Sequence, residues 1–140
     1  PPLGLIKTLE RSGCYIVDDD FVQVGRWIQH AIPLDGDPLD RLVRAFLLDS
    51  IASPTRYDES GNKGADLVQR VAASRAEGVL FCAPSFCDPA LLDQPMLRAG
   101  AEHAGIPCIA FKYSENSGQF QQFREQAGTF SDSIKLWGSA

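Results

Sequence analysis

Runs of consecutive apolar residues alternate with amphipathic stretches along the chain. The apolar runs predict three short, buried strands, at residues 14–18, 79–83 and 108–112. Apolar residues spaced three or four positions apart predict helices around and between these runs, at residues 5–11, 21–32, 66–76 and 120–137. Each strand is followed by a helix that must cross back over the sheet, so we expect the three strands to be parallel.

Capping residues mark several helix ends. Gly13 follows the first helix and predicts its termination. Asp37 and Pro38 have the pattern of an N-cap and a first-turn proline. They open a helix whose apolar stripe consists of Leu39, Leu42, Val43, Phe46 and Leu47. Asp88 and Pro89 predict a second cap of this kind, at the start of a helix that runs toward residue 105.

The order of these elements predicts the fold. Strands that alternate with helices through short connections favour an α/β fold, a three-layer sandwich with a mainly parallel sheet of the flavodoxin or Rossmann-like kind. Residues 53–64 are rich in turn-forming types and predict an exposed loop. Ligands in such folds bind where strands end, so residues 18–20, 84–88 and 113–118 should meet at one edge.

Composition narrows the possible partners. The chain has 140 residues, a formal net charge of -5 and 44% hydrophobic residues, which fits one ordinary α/β domain. The sequence has no cluster of Lys and Arg of the kind that binds nucleic acid or anionic lipid membranes. It also has no apolar run long enough to span a membrane. The chain opens on Pro1 without an initiator Met or a targeting pattern, so we expect a fragment of a longer, cytoplasmic protein.

The four cysteines differ in their sequence context. Cys82 lies inside a predicted strand, and Cys14 and Cys108 begin strands, so all three are expected to be small core residues. Cys87 follows a strand and directly precedes a helix, where backbone N–H groups and the helix dipole favour a thiolate. A thiolate there could bind iron or act as a nucleophile, although a merely buried Cys87 is the plain alternative. No C-x-x-C pair or nearby His supports a self-contained zinc site.

Other polar residues give weaker signals. Residues 18–20 are all Asp and could hold a metal, but acidic turns more often cap the next helix. Lys112, Gln119 and Arg124 could reach the ligand edge, where a cation would suit an anionic phosphate. Dinucleotide-binding, P-loop and nucleophile-elbow motifs are missing from the sequence.

Two longer segments carry a family resemblance. Residues 78–92, GVLFCAPSFCDPALL, followed by QPML at 94–97, resemble the benzoyl-CoA reductase and 2-hydroxyacyl-CoA dehydratase family. The closing stretch, from FKYSENSGQF at 111–120 through residue 137, is similar to the C-terminal domain of the smaller, substrate-binding subunit of the ATP-dependent (class I) reductases. The resemblance spans essentially the whole chain and is strongest from Gly78 onward.

The resemblance implies a cofactor and a site. In this family two related subunits hold 4Fe–4S clusters and bind the acyl-CoA, and the thiol before Asp-Pro, here Cys87, is the cluster ligand that this domain supplies. Two further cysteine ligands come from an upstream domain, so the fragment alone should be inactive and metal-free. Lys112 and Gln119 are candidates for contact with the substrate.

The resemblance also implies a reaction and partners. The parent protein should reduce the aromatic ring of benzoyl-CoA to a cyclohexadiene carboxyl-CoA, as part of anaerobic aromatic degradation. Its partners should be a related cluster-bearing subunit, ATP-hydrolysing activator subunits and ferredoxin as electron donor. A 2-hydroxyacyl-CoA dehydratase subunit is the alternative enzyme, and a non-catalytic α/β binding module is the alternative without catalysis. A strand before Pro1 is expected to be missing, which would leave the sheet incomplete.

Overall fold

The computed structural model describes residues 1–21, 30–50, 62–114 and 120–137. The elements within these ranges are α1 (Leu3–Arg11), α2 (Pro38–Leu47), α3 (Lys63–Ser74), β1 (Val79–Pro84), α4 (Asp88–His103), β2 (Cys108–Tyr113) and α5 (Gln121–Trp137). This order confirms an α/β fold. Most of the predicted helix at 21–32, of the loop at 53–64 and of the edge segment at 113–118 falls outside the described residues.

The chain divides into two compact units, one formed by residues 1–18 with 60–140 and the other by residues 19–59. The described helix of the smaller unit is α2, which begins as predicted. The carboxylate of Asp37 accepts hydrogen bonds from the backbone N–H groups of Leu39 and Asp40, at 2.9 and 3.2 Å. Pro38 occupies the first turn, where its missing N–H costs nothing. The apolar stripe of α2 remains exposed, and only Ala45 of this helix is buried.

The larger unit contains a parallel two-stranded sheet. Val79 pairs with Cys108 at one end, and Pro84 pairs with Tyr113 at the other. Side chains alternate between the two faces of a strand. Leu80 and Cys82 therefore share a face with the β2 residues opposite them, Ile109 and Phe111.

The main core lies on that face. Leu5 and Leu9 of α1 pack with Phe111 and Tyr113 of β2 and with Ala127 of α5. The ring of Phe123 meets Phe111 edge to face, with centroids 5.4 Å apart. α1 and α5 thus cover one side of the sheet together.

The other side belongs to α4, which crosses from β1 to β2 and contacts both strands. α3 packs along α4, and the two backbones come close at a pair of glycines. A Cβ atom placed on Gly100 would lie 2.8 Å from the Cα of Gly64. A Cβ on Gly64 would lie 3.3 Å from the Cα of Gly100, so this approach requires glycine at position 100 and leaves little room at position 64.

The predicted strand at residues 14–18 is not formed. Gly13 has a φ of 93°, and the N–H of Cys14 donates to the carbonyl of Leu9 at 3.2 Å. This is a Schellman-type C-terminus of α1, so the N–H of Cys14 is hydrogen-bonded to the helix and cannot pair with another strand. Tyr15 and Val17 are 83% and 51% exposed. A strand also needs a neighbour to exchange hydrogen bonds with, and the sheet of the described residues contains only β1 and β2.

Two of the three predicted strands are therefore confirmed, and they are parallel. The small sheet agrees with the expectation of an incomplete one.

Within the described ranges, none of the helices combines the length and the apolar character needed to cross a bilayer.

Candidate functional site

The site predicted from the sequence lies in the turn between β1 and α4. The N–H of Cys87 donates to the carbonyl of Pro84 at 3.0 Å, which closes a β-turn over residues 84–87. Cys87 is the N-cap of α4, and its carbonyl accepts from the N–H of Leu91 at 3.1 Å. The sequence predicted Asp88 as the cap, and this was wrong by one residue. The β-turn ends at Cys87, so the helix starts immediately and Asp88 lies in its first turn.

A second pair of hydrogen bonds fixes this turn to the neighbouring strand. Ser85 donates to the carbonyl oxygen of Tyr113 through its backbone N–H, at 2.9 Å, and through its hydroxyl, at 3.1 Å. The ends of β1 and β2 are thereby joined at the carboxyl edge of the sheet. The described parts of the two loops that follow these strands lie at the same edge, as expected.

The thiol of Cys87 is half-buried at the N-terminus of a 16-residue helix. The backbone of Cys87 occupies the N-cap of that helix, and its side chain makes no capping hydrogen bond. Within the described residues, no group of three or more His, Cys, Asp or Glu side chains is placed to hold a metal ion.

Cys82 occupies a different environment. It lies within β1 and packs against the core cluster that contains Phe111 and Tyr113. Its place on a core-facing strand position gives it a packing role in this domain. The two cysteines, five residues apart, thus differ as the sequence predicted.

The remaining two cysteines are half-buried; Cys14 packs against the core cluster as expected, whereas Cys108 is not part of that cluster and lines an open groove instead. Burial raises the pKa of the Cys14 thiol, and the nearby ammonium of Lys135 opposes that shift. The Cys14 Sγ lies 3.5 Å from the carbonyl oxygen of Ala127. Burial likewise raises the pKa of the Cys108 thiol, with Arg98 lowering it and Glu102 raising it. Both thiols are poorly suited to act as thiolate donors.

The other candidate residues are placed as follows. Lys112 is exposed on β2 at the position paired with Ala83, near the carboxyl edge. Arg124 is exposed on α5, and Gln119 lies outside the described residues. Asp18 pairs with Arg70 at 2.8 Å, and the carboxylate of Asp19 accepts from the N–H of Phe21 at 3.0 Å. These contacts give the acidic turn a structural role.

Two features of the site were missed in the sequence. Ser85 braces the turn through Tyr113, 28 residues away, a contact that no local pattern reveals. Phe86 is 96% exposed beside Cys87, although an aromatic residue in an apolar segment favours burial.

An open groove of about 440 Å³ lies between β2 and α5 and is lined by residues such as Cys108, Glu125 and Phe130. Cys87 is not among its lining residues.

Fold and site together define a class: an α/β domain with a cysteine at the N-cap of the helix that follows the first of its two parallel strands. The sequence matches the family described as 2-hydroxyglutaryl-CoA dehydratase, D-component, over residues 1–134. The chain belongs to this family.

Individual relatives divide into reductase and dehydratase subunits. The chain is 54% identical to a benzoyl-CoA reductase subunit of Thauera aromatica over 138 residues, which is 98% of the chain and 36% of that protein. It is 29% identical to the (R)-phenyllactyl-CoA dehydratase beta subunit of Clostridium sporogenes over 93% of the chain, and 34% of that protein is covered. It is 25% identical to the lactoyl-CoA dehydratase beta subunit of Anaerotignum propionicum over 92% of the chain and 34% of that protein. The chain thus spans about a third of the length of these relatives.

Proposed function

We propose that the complete protein is a subunit of an ATP-dependent benzoyl-CoA reductase. The observation that carries this proposal is the 54% identity to a benzoyl-CoA reductase subunit, against 29% and 25% for two dehydratase subunits. The reaction would add low-potential electrons and protons to the aromatic ring of benzoyl-CoA and give a cyclohexadiene carboxyl-CoA. The domain described above contributes one edge of the site in which this happens.

We further propose that Cys87 is one ligand of a 4Fe–4S cluster. The placement of its thiol at the start of α4, in a turn braced by Ser85, supports this role. Such a cluster, when bound, supplies one-electron transfer at low potential. One thiolate is too few to hold it, and the described residues contain no group of three or more potential metal ligands, so the proposal places the other ligands elsewhere in the complete protein.

The proposal extends to partners and substrate. A second, related cluster-bearing subunit, ATP-hydrolysing activator subunits and a ferredoxin would complete the electron path. The subunit names of the relatives agree with a hetero-oligomer. Lys112, exposed at the same edge, and Gln119 are the residues proposed to face the acyl-CoA. The four cysteines form no disulfide with one another, which favours a reducing compartment such as the cytoplasm.

A dehydratase is the second candidate function. The family description and two of the relatives name 2-hydroxyacyl-CoA dehydratases, which supports it. In that case the same edge of the domain would serve the loss of water from a 2-hydroxyacyl-CoA. The non-catalytic alternative is an α/β binding module in which Cys87 is only a packing residue. Neither the family description nor the names of these relatives support it.

The three candidates are separated by one assay series on the full-length subunit, produced without oxygen together with its partner subunits. Benzoyl-CoA, reductant and ATP should give a cyclohexadiene carboxyl-CoA, detected by mass spectrometry. A 2-hydroxyacyl-CoA should give no enoyl-CoA under the same conditions. Dehydration without ring reduction would establish the second candidate, and iron-free protein inactive in both assays would support the binding module.

A further inference from the structure

The outer edge of β2 exposes a row of backbone hydrogen-bonding groups. The N–H of Val79 donates to the carbonyl of Pro107 at 2.9 Å, and Val79 stands opposite Cys108 in the parallel register. Successive residues of a strand direct their N–H and C=O groups to opposite edges, so the odd-numbered residues of β2 bond to β1. The backbone groups of Cys108, Ala110 and Lys112 therefore point away from β1. Among the described residues, nothing pairs with them.

Open space adjoins this edge. Cys108, Ile109 and Ala110 form one wall of the groove described above, and residues of α5 such as Glu125 and Thr129 form the other. A strand added to a sheet lies about 4.8 Å from its neighbour, so it would run along this groove. Donors and acceptors that repeat every second residue along an extended backbone are matched by the backbone of another strand. The edge therefore fits an extended polypeptide segment.

The connections of the sheet indicate where such a segment comes from. α4 links β1 to β2 on one side of the sheet, whereas α5 leaves β2 and packs on the opposite side. Connections between parallel strands are right-handed, so a connection through α5 would lead back toward β1. α3 enters β1 from the α4 side, so a parallel strand before it would lie beyond β1 as well. The outer edge of β2 is thus left for a segment of another polypeptide.

We propose that the outer edge of β2 is an interaction surface that binds an extended segment of a partner subunit as an additional strand. Native proteins usually cover or pair an open sheet edge of this kind. The bound segment carries Lys or Arg, because Glu125 is the charged residue among the described residues that line the groove. The partner is the related subunit of the hetero-oligomer proposed above. The inference rests on that assembly and is independent of the role of Cys87.

Hydrogen exchange of the full-length subunit tests this proposal, measured for the subunit alone and in its complex with the partner subunits. Mass spectrometry at residue resolution follows the amides of Cys108, Ala110 and Lys112. Their exchange should slow roughly tenfold or more in the complex, because pairing with a strand protects them from water. The amides of Ile109 and Phe111 face β1 and are the internal control, since their pairing is present in both states.

A variant of the edge itself gives a second measurement. Ala110→Pro removes an outward N–H and leaves the pairing with β1 in place, a position at which edge strands accept proline. It should weaken binding of the partner subunit by roughly tenfold or more, because the added strand loses a donor and meets the proline ring. Ala110→Val keeps the N–H and is the matched control, which should bind like the unaltered subunit. Titration of the purified subunits measures both affinities.

The charge of the groove is tested in the same titration. Glu125→Lys should weaken binding by roughly tenfold, because it places like charges together. Glu10→Lys makes the same change at an exposed position on α1 that does not line the groove, and it should leave binding unchanged.

Three results of the exchange experiment would overturn the proposal. Unslowed exchange at Cys108, Ala110 and Lys112 in the complex would show that no strand binds this edge. Slow exchange already present in the separate subunit would place the strand in the same polypeptide. Slowing that depends on the concentration of the separate subunit would identify a second copy of the chain as the occupant. None of these measurements needs catalytic activity or iron, so each result leaves the proposed reaction to its own assay.

Discussion

Ser85 and Tyr113 join the ends of the two strands, because a single carbonyl oxygen of Tyr113 accepts both the backbone N–H and the hydroxyl of Ser85, at 2.9 and 3.1 Å. The backbone bond continues the ladder of the parallel sheet by one residue. The hydroxyl bond adds a second link at the place where β1 leaves the sheet. The turn that presents Cys87 is therefore an extension of the sheet.

The hydroxyl contribution is predicted to be measurable. Ser85→Ala removes one side-chain hydrogen bond and leaves the backbone bond, so the free energy of unfolding should fall by about 1 kcal/mol. Ser133→Ala is the control, because that exposed hydroxyl bonds to the carbonyl of Phe130 within its own helix. Its effect should stay within about 0.5 kcal/mol. Urea unfolding of both variants measures the difference, and equal stabilities would contradict the bracing role of Ser85.

The contact between α3 and α4 gives a second prediction. A methyl group at Gly100 would lie 2.8 Å from the Cα of Gly64 and 3.1 Å from its carbonyl atoms, so the two helices must move apart. Gly100→Ala should destabilise the protein by roughly 1–3 kcal/mol, although alanine is the better helix former. The nearest neighbour of a Cβ at Gly128, in α5, is 4.0 Å away. Gly128→Ala should therefore stabilise by up to about 1 kcal/mol. Thermal or urea unfolding of both variants gives the comparison, and a stabilising Gly100→Ala would show that the two backbones are not in contact.

A comparison of sequence and structure shows what local patterns can predict. β1 and β2 are continuous apolar runs between turn residues, and both formed as expected. Residues 14–17 have the same apolar character but form no strand, since a strand depends on its neighbour and the Cys14 N–H is used by α1. The position of Cys87 between strand and helix was visible in the sequence. The bond from Ser85 to Tyr113 was not, because it joins residues that are distant along the chain.

The burial of Cys14 leads to a pH-dependent prediction. Burial raises the pKa of this thiol, and the Lys135 ammonium lowers it. Lys135→Gln should therefore raise the pKa of Cys14 further and slow its alkylation by iodoacetamide near pH 9, since only the thiolate reacts. Lys7→Gln is the charge-matched control and should leave the rate unchanged. The modification of the Cys14 peptide, followed by mass spectrometry from pH 7 to 10, gives both rates. Faster alkylation in Lys135→Gln would contradict the assignment.

The raised pKa of Cys14 also makes the free energy of unfolding depend on pH. The folded chain holds the Cys14 proton more tightly than the unfolded chain, in which a thiol has a pKa of about 8.5. The stabilising contribution is therefore complete below that pKa and is lost as the pH rises through the raised pKa of the folded state. In Cys14→Ala the decline of the unfolding free energy above about pH 8.5 should be shallower than in the unaltered protein. Parallel curves for the two proteins would show that this thiol does not contribute to the decline.

The last prediction separates the two cysteines that the sequence places five residues apart. Cys82 packs against the core on β1, whereas Cys87 caps α4 in a turn at the carboxyl edge of the sheet. In the full-length protein, Cys87→Ser should lose most of one cluster, because a hydroxyl is a poor ligand for iron that prefers thiolate. Cys82→Ser should keep its iron content and lose stability, since it replaces a thiol packed in an apolar cluster with a more strongly hydrated hydroxyl. Iron analysis and EPR of the reduced proteins measure the first effect, and thermal unfolding measures the second. Iron loss in Cys82→Ser with intact iron in Cys87→Ser would reverse the assignment and make the strand cysteine the ligand.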